Sequence, residues 1–151
     1  MNKFMRAAIA EARKGIRAGH GGPFGAVIVK DDVIIAKGHN QVLKNNDPTC
    51  HGEMMAIRKA CKVLGTFDLS GCEIYTTGEP CPMCMSAILW ANINKVYYGC
   101  NIFDTEAIGF RDAKFYKIQQ PGEREKLIVE LDRKACLKLY DEYLKTNPQN
   151  Y

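Results

Sequence analysis

The run Cys72-Glu73-Ile74-Tyr75-Thr76-Thr77-Gly78-Glu79-Pro80-Cys81-Pro82-Met83-Cys84 passes from a strand into a helix and carries two cysteines across the join. Cys72–Thr77 alternates as a strand, and Cys81–Ala91 reads as a buried helix. Proline at 80 and 82 is tolerated there, because the first amides of a helix have no intrahelical acceptor to lose. Cys81 and Cys84, three residues apart in one helical turn, present both sulfurs to the same side. The partial positive charge of a helix start favours the thiolate, the form that binds metal. About thirty residues earlier, His51-Gly52-Glu53 sits at the start of another predicted helix, which opens at Asp47-Pro48 and runs to about Leu64.

Outward from these two helix starts, the chain alternates helix and strand. Residues 2–18 place Phe4, Ala8, Ala12 and Ile16 at helical spacing, with glycines and a proline closing the helix. Ala26–Lys30 and Val33–Lys37 flank Asp31-Asp32 as a hairpin, and Lys95–Gly99 is a further strand. Residues 100–120 read as irregular, Leu127–Leu131 as an edge strand and Asp132–Leu144 as a closing helix. The expected fold is a three-layer α/β/α domain over residues 1–151, with helices on both faces of a five-stranded mixed sheet.

Composition narrows the function. With 151 residues, 46% hydrophobic and 25% charged, the chain suits one ordinary globular domain and not a disordered segment. No run approaches the ~20 apolar residues of a membrane span. The amino-terminal residues lack the form of a secretory signal, so a cytoplasmic protein is expected. The net charge of +4 is mild and interspersed, which permits a nucleic-acid partner without demanding one. Seven cysteines in a reducing compartment point to a metal site rather than a disulfide framework.

His51, Cys81 and Cys84 supply the three nitrogen or sulfur ligands of a catalytic zinc, leaving one position open for water. Glu53, two residues from His51, is poorly placed to join the same metal. Beside the open position its carboxylate can take a proton from water and pass it to a substrate nitrogen. A closed structural zinc knuckle would need a fourth ligand, and Cys61, Cys72 and Cys100 lie in apolar contexts. Met85, Leu89 and Trp90 read as core. Lys3, Arg6, Arg13, Lys14 and Arg17 read as a solvated helix face.

The combination H-x-E with P-C-x-x-C resembles the signature of the zinc-dependent cytidine and deoxycytidylate deaminase superfamily. Gly22-Pro23-Phe24-Gly25-Ala26-Val27-Ile28-Val29 and Asn46-Asp47-Pro48-Thr49-Cys50-His51-Gly52-Glu53 extend the likeness to the short bacterial guanine deaminases, over nearly the whole chain. Where that family usually carries Ala, this chain has Gly52; where it carries a small polar or sulfur residue, this chain has Gly78. Neither change removes a ligand.

The resemblance implies hydrolysis of guanine to xanthine and ammonia, with Zn²⁺ as cofactor and Glu53 as proton carrier. It implies that Asn40 contacts the base, that Phe24 stacks on it, and that Asp112 receives the adjacent N–H donors of guanine. It also implies a homodimer in which the segment 132–151 is exchanged between subunits and Tyr151 reaches the substrate. A tRNA adenosine deaminase, or a deaminase of cytosine or another nucleobase, is the alternative, and only the tRNA reading brings in nucleic acid. A zinc-stabilised interaction domain without catalysis is the third, which the presence of Glu53 disfavours.

Overall fold

A computed structural model describes all 151 residues, from Met1 to Tyr151. Two compact units are distinguished, Met1–Tyr116 and Lys117–Tyr151.

In the first unit, α1 spans Lys3–Arg17, β1 Gly25–Lys30, β2 Val33–His39, α2 Val42–Asn45 and α3 Gly52–Leu64. There follow β3 Cys72–Gly78, α4 Pro82–Trp90, β4 Lys95–Cys100, α5 Ile102–Ala107 and α6 Asp112–Ile118, the last crossing into the second unit. Helix α1 starts where the Asn2 side chain accepts the N–H groups of Phe4 and Met5 at 2.8 and 3.0 Å, which satisfies two orphan donors of the first turn. The β1–β2 hairpin turns on Asp31 and Asp32, both at positive φ (49° and 63°), as a two-residue turn between right-twisted strands requires.

The sheet order is β2-β1-β3-β4. Strand β1 pairs antiparallel with β2 and β3, and β3 pairs parallel with β4. Strand β1 is buried on both faces. Ala26 and Ile28 join Ile74, Ala56, Ala60 and Ile88 in the core under α3 and α4, while Val27 and Val29 join Phe4, Ala8 and Tyr75 under α1. Side chains alternating across β1 thus feed two cores, each fully buried Ile or Val contributing about 1.5–3 kcal/mol. This is the expected three-layer α/β/α arrangement.

The sheet has four strands, not five. Leu127–Leu131 forms no strand: a short 3₁₀ turn at Arg124–Lys126 leads into unpaired backbone. Its β-branched residues suit a strand, yet nothing in Lys117–Tyr151 offers an edge to pair with, and a strand without a ladder leaves its amides to water. Residues 100–120 are more regular than expected, with two short helices. Leu89 and Trp90 are not core. Cys84, Ile88 and Ala91 take the inward face of α4, leaving Leu89 and Trp90 64% and 65% exposed. On α1 the inward position is Gly15, and Ile16 faces outward.

The second unit contains the 3₁₀ turn and α7, Arg133–Leu144. It has no buried core of its own; Leu127, Val129, Leu131, Tyr140 and Leu144 are all exposed. No helix of either unit is long and apolar enough to cross a membrane.

Candidate active site

Strand β3 ends at Gly78, and the chain turns through Glu79 and Pro80 into α4. Here Glu79 N–H donates to the Cys100 carbonyl at 2.7 Å, and the Glu79 carboxylate accepts the Ile102 N–H at 3.0 Å. The turn is therefore pinned to the end of β4 and the start of α5. Cys81 is the N-cap of α4 with extended backbone, Pro82 is the first helical residue, and Cys84 lies one turn in. His51 caps α3 in the same extended conformation. The sequence pattern placed both inside their first turns, but α3 opens at Gly52 and not at Asp47-Pro48, and α4 opens at Pro82, so each residue stands at the N-cap instead.

They do converge. His51 Nδ1 lies 3.6 Å from Cys81 Sγ and 3.5 Å from Cys84 Sγ, and the three ligand atoms all fall within 4.8 Å of one another. Tetrahedral zinc, with Zn–S near 2.3 Å and Zn–N near 2.0 Å, holds sulfur and nitrogen ligands roughly 3.5 Å apart. Both the donor set and its spacing fit that ion.

Electrostatics favour a cation. The hydrogen bond from Cys84 holds the Cys81 thiol down to about 4, against burial and with help from His51. The same bond, then burial, then the nearby Glu53, push Cys84 upward. His51 is raised, chiefly by its hydrogen bond with Cys81. In effect a thiolate and a thiol share one proton, which an arriving dication would displace.

Glu53 stands in the first turn of α3, only 7% exposed, in hydrogen-bond contact with Cys84. Burial lifts its carboxyl to about 7. A carboxyl poised near neutrality can both accept and return a proton, which is what general acid–base work asks of it.

The cluster opens into a cavity of about 320 Å³, within the range of small-molecule sites. Phe24 and Asn40 line it, as does Asp112 at the start of α6. Phe24 meets Phe110 edge-on, with ring centroids 4.8 Å apart at 83°. Asn40 is buried; its Oδ1 accepts the Val42 N–H at 3.1 Å, which leaves Nδ2 as the amide's donor. A Cβ on Gly21 would stand 2.0 Å from Asn40 Oδ1, so only glycine lets that backbone cover the amide. Asp112 is raised, first by burial and then by Cys81.

Phe110, Arg111 and Phe115 also line the cavity, and the sequence reading missed them. The signal available was a cluster of aromatic and charged residues in a stretch without clear periodicity. Tyr116 closes this wall by donating its hydroxyl to the Pro80 carbonyl at 2.6 Å. Tyr151 belongs to the second unit.

A family model for the zinc-binding region of cytidine and deoxycytidylate deaminases matches residues 1–100. The guanine deaminase of Bacillus subtilis is 53% identical over 121 residues, which is 80% of this chain and 78% of that protein. A tRNA-specific adenosine deaminase of Aquifex aeolicus is 38% identical over 133 residues, 80% of this chain and 87% of that one. The crystal structure of the Bacillus subtilis guanine deaminase superposes with a TM-score of 0.83 at 46% identity, covering 100% of this chain and 98% of that one.

Proposed function

The chain belongs to the zinc-binding family of cytidine and deoxycytidylate deaminases, and from that membership we propose that it hydrolyses guanine to xanthine and ammonia. The observation that carries the reading is the buried carboxyl of Glu53 beside the His51, Cys81 and Cys84 ligand set, at the edge of a cavity walled by Phe24 and Asn40.

His51, Cys81 and Cys84 are the residues that would hold a zinc ion, which would supply Lewis-acid chemistry, making water a nucleophile near pH 7. Glu53 takes a proton from the attacking water and gives it to the ring nitrogen next to the carbon bearing the amino group. As the water oxygen bonds to that carbon and the carbon–nitrogen bond breaks, Glu53 carries the second proton of that oxygen to the departing amine. Ammonia leaves, and the carboxyl ends as it began. Asn40 Nδ2 donates to an acceptor on the base. Asp112 accepts from the adjacent N–H groups, a reader suited to guanine because guanine offers neighbouring donors. Phe24 covers the ring face.

A second copy of the chain is the remaining partner. The exposed apolar residues of the segment 132–151, Leu137, Leu139 and Tyr140 among them, are what a subunit interface would cover. Exchange of an identical element is a low-cost route to a symmetric dimer, and it would bring Tyr151 to a substrate pocket. A cytoplasmic location accords with seven unpaired cysteines.

The experiment is ammonia release from the zinc-loaded protein offered guanine, guanosine, cytosine, adenine and an anticodon stem-loop in parallel. Turnover of guanine above the rest is expected. Preference for the stem-loop would replace this reading with a tRNA adenosine deaminase, and preference for cytosine with a pyrimidine deaminase.

A further inference from the structure

Away from the metal ligands, three side chains form a line of hydrogen bonds that the deamination chemistry does not use. His39 is buried at the end of β2. Its Nδ1 lies 2.8 Å from Glu11 Oε1 on α1, and its Nε2 lies 2.8 Å from Nδ1 of His20, in the loop after α1. The two imidazoles stack, with centroids 5.1 Å apart and planes at 18°. Helix α1 gives up a side chain to admit them: a Cβ on Gly15 would stand 2.5 Å from His39 Cδ2.

The proton count follows from the contacts. The Glu11 carboxylate only accepts, so His39 Nδ1 carries hydrogen, and His39 Nε2 can accept from the Nδ1–H of His20 with both rings neutral. One added proton is tolerated, because an imidazolium at His39 donates in both directions. A second proton is not, since two N–H groups would then face each other at 2.8 Å.

The far end of this line meets the cavity. The His20 carbonyl accepts the N–H groups of Leu43 and Lys44 at 3.0 and 3.1 Å, tying α2 to the loop. Leu43 lines the cavity, and so does Gly21, which follows His20. Asn40 follows His39, and its own N–H donates to the Phe24 carbonyl at 2.9 Å. The line therefore has both of its histidines directly beside residues that shape the base pocket.

We propose that Glu11, His39 and His20 form a clasp that positions Asn40 and the α2 wall over the base, so that His20 and His39 are positioning residues for base affinity and not for carbon–nitrogen cleavage. The proposal rests on reading this cavity as the base site. Facing the clasp are Glu11 and Lys14 from α1, His39 from β2 and Lys44 from α2. Partial burial, then Lys44, His39 and Lys14, disfavour the charged form of His20.

The test uses the zinc-loaded full chain with His20→Ala and His20→Asn, the latter placing an amide nitrogen near the position of imidazole Nδ1. His20→Ala is expected to raise the KM for guanine roughly threefold to tenfold, the scale of one lost intramolecular hydrogen bond, while kcat stays within about twofold. Amide exchange at Leu43 and Lys44 speeds up in the same variant. His20→Asn restores both. An unchanged KM with unchanged exchange in His20→Ala, a fall in kcat alone, or failure of His20→Asn to rescue would each overturn the clasp. Should the unaltered protein not turn over guanine, the substrate reading falls, and the exchange rates of Leu43 and Lys44 in the free protein still decide for or against the clasp.

Discussion

Cys84 Sγ and His51 Nδ1 lie 3.5 Å apart although 33 positions separate the two residues. The contact joins the starts of α3 and α4, and it is the separation that a shared tetrahedral zinc imposes on a sulfur and a nitrogen ligand. Cys84→Ala should therefore abolish zinc retention and ammonia release together, and a chelator should do the same reversibly in the unaltered protein. Metal analysis after dialysis checks this. Full zinc content in Cys84→Ala would remove Cys84 from the ligand set.

Glu53 separates metal binding from chemistry. Its carboxyl is buried beside the ligand set, so Glu53→Gln preserves shape and burial while removing the group that takes up and returns a proton. Zinc content should be retained and guanine turnover should fall roughly 10²–10⁴-fold. A near-normal rate in this variant would assign the proton transfers to another group.

Gly21→Ala tests how Asn40 is held. The new Cβ would meet Asn40 Oδ1 at 2.0 Å, forcing the amide away from the Val42 N–H it accepts. Zinc content should be unaffected, and guanine affinity should fall about tenfold, matching Asn40→Ala to within the worth of one hydrogen bond. Titration of the zinc-loaded variants with guanine or a non-reacting purine measures it. Unaltered affinity in both would take Asn40 out of base recognition.

The metal site was legible because its information is local. The C-x-x-C spacing fixes two sulfurs on one turn, and a helix start brings His51 and Glu53 to one place. What local pattern misjudged was the last step, the N-cap positions of His51 and Cys81. Phe110, Arg111 and Phe115 carried no periodic signal, since a pocket wall built from the link before α6 and the start of that helix is set by tertiary contacts such as Tyr116 to Pro80. Leu127–Leu131 shows the converse: strong strand propensity yields no strand without an edge to receive it. For Leu89 and Trp90, helical spacing identified an apolar set without showing which side of α4 the sheet would take.

The carboxy terminus supplies the last prediction. Lys145–Tyr151 is a polar stretch ending on an aromatic, and a closing segment over a zinc site strengthens the electrostatics there by excluding water. Deleting Lys145–Tyr151 should leave zinc content and melting behaviour unchanged and lower guanine turnover on the order of tenfold or more, the loss expected from even one good contact. Unchanged turnover would refute a substrate role for Tyr151. Mixing then decides whether the segment acts within one chain or between two. The deletion variant keeps Glu53 but lacks the tail; the Glu53→Gln variant keeps the tail but lacks the proton carrier. If segments are exchanged, co-refolded mixtures contain dimers in which the intact tail of one copy covers the intact Glu53 site of the other, and activity returns. If each tail serves its own chain, every site in the mixture lacks one component, and no activity is recovered.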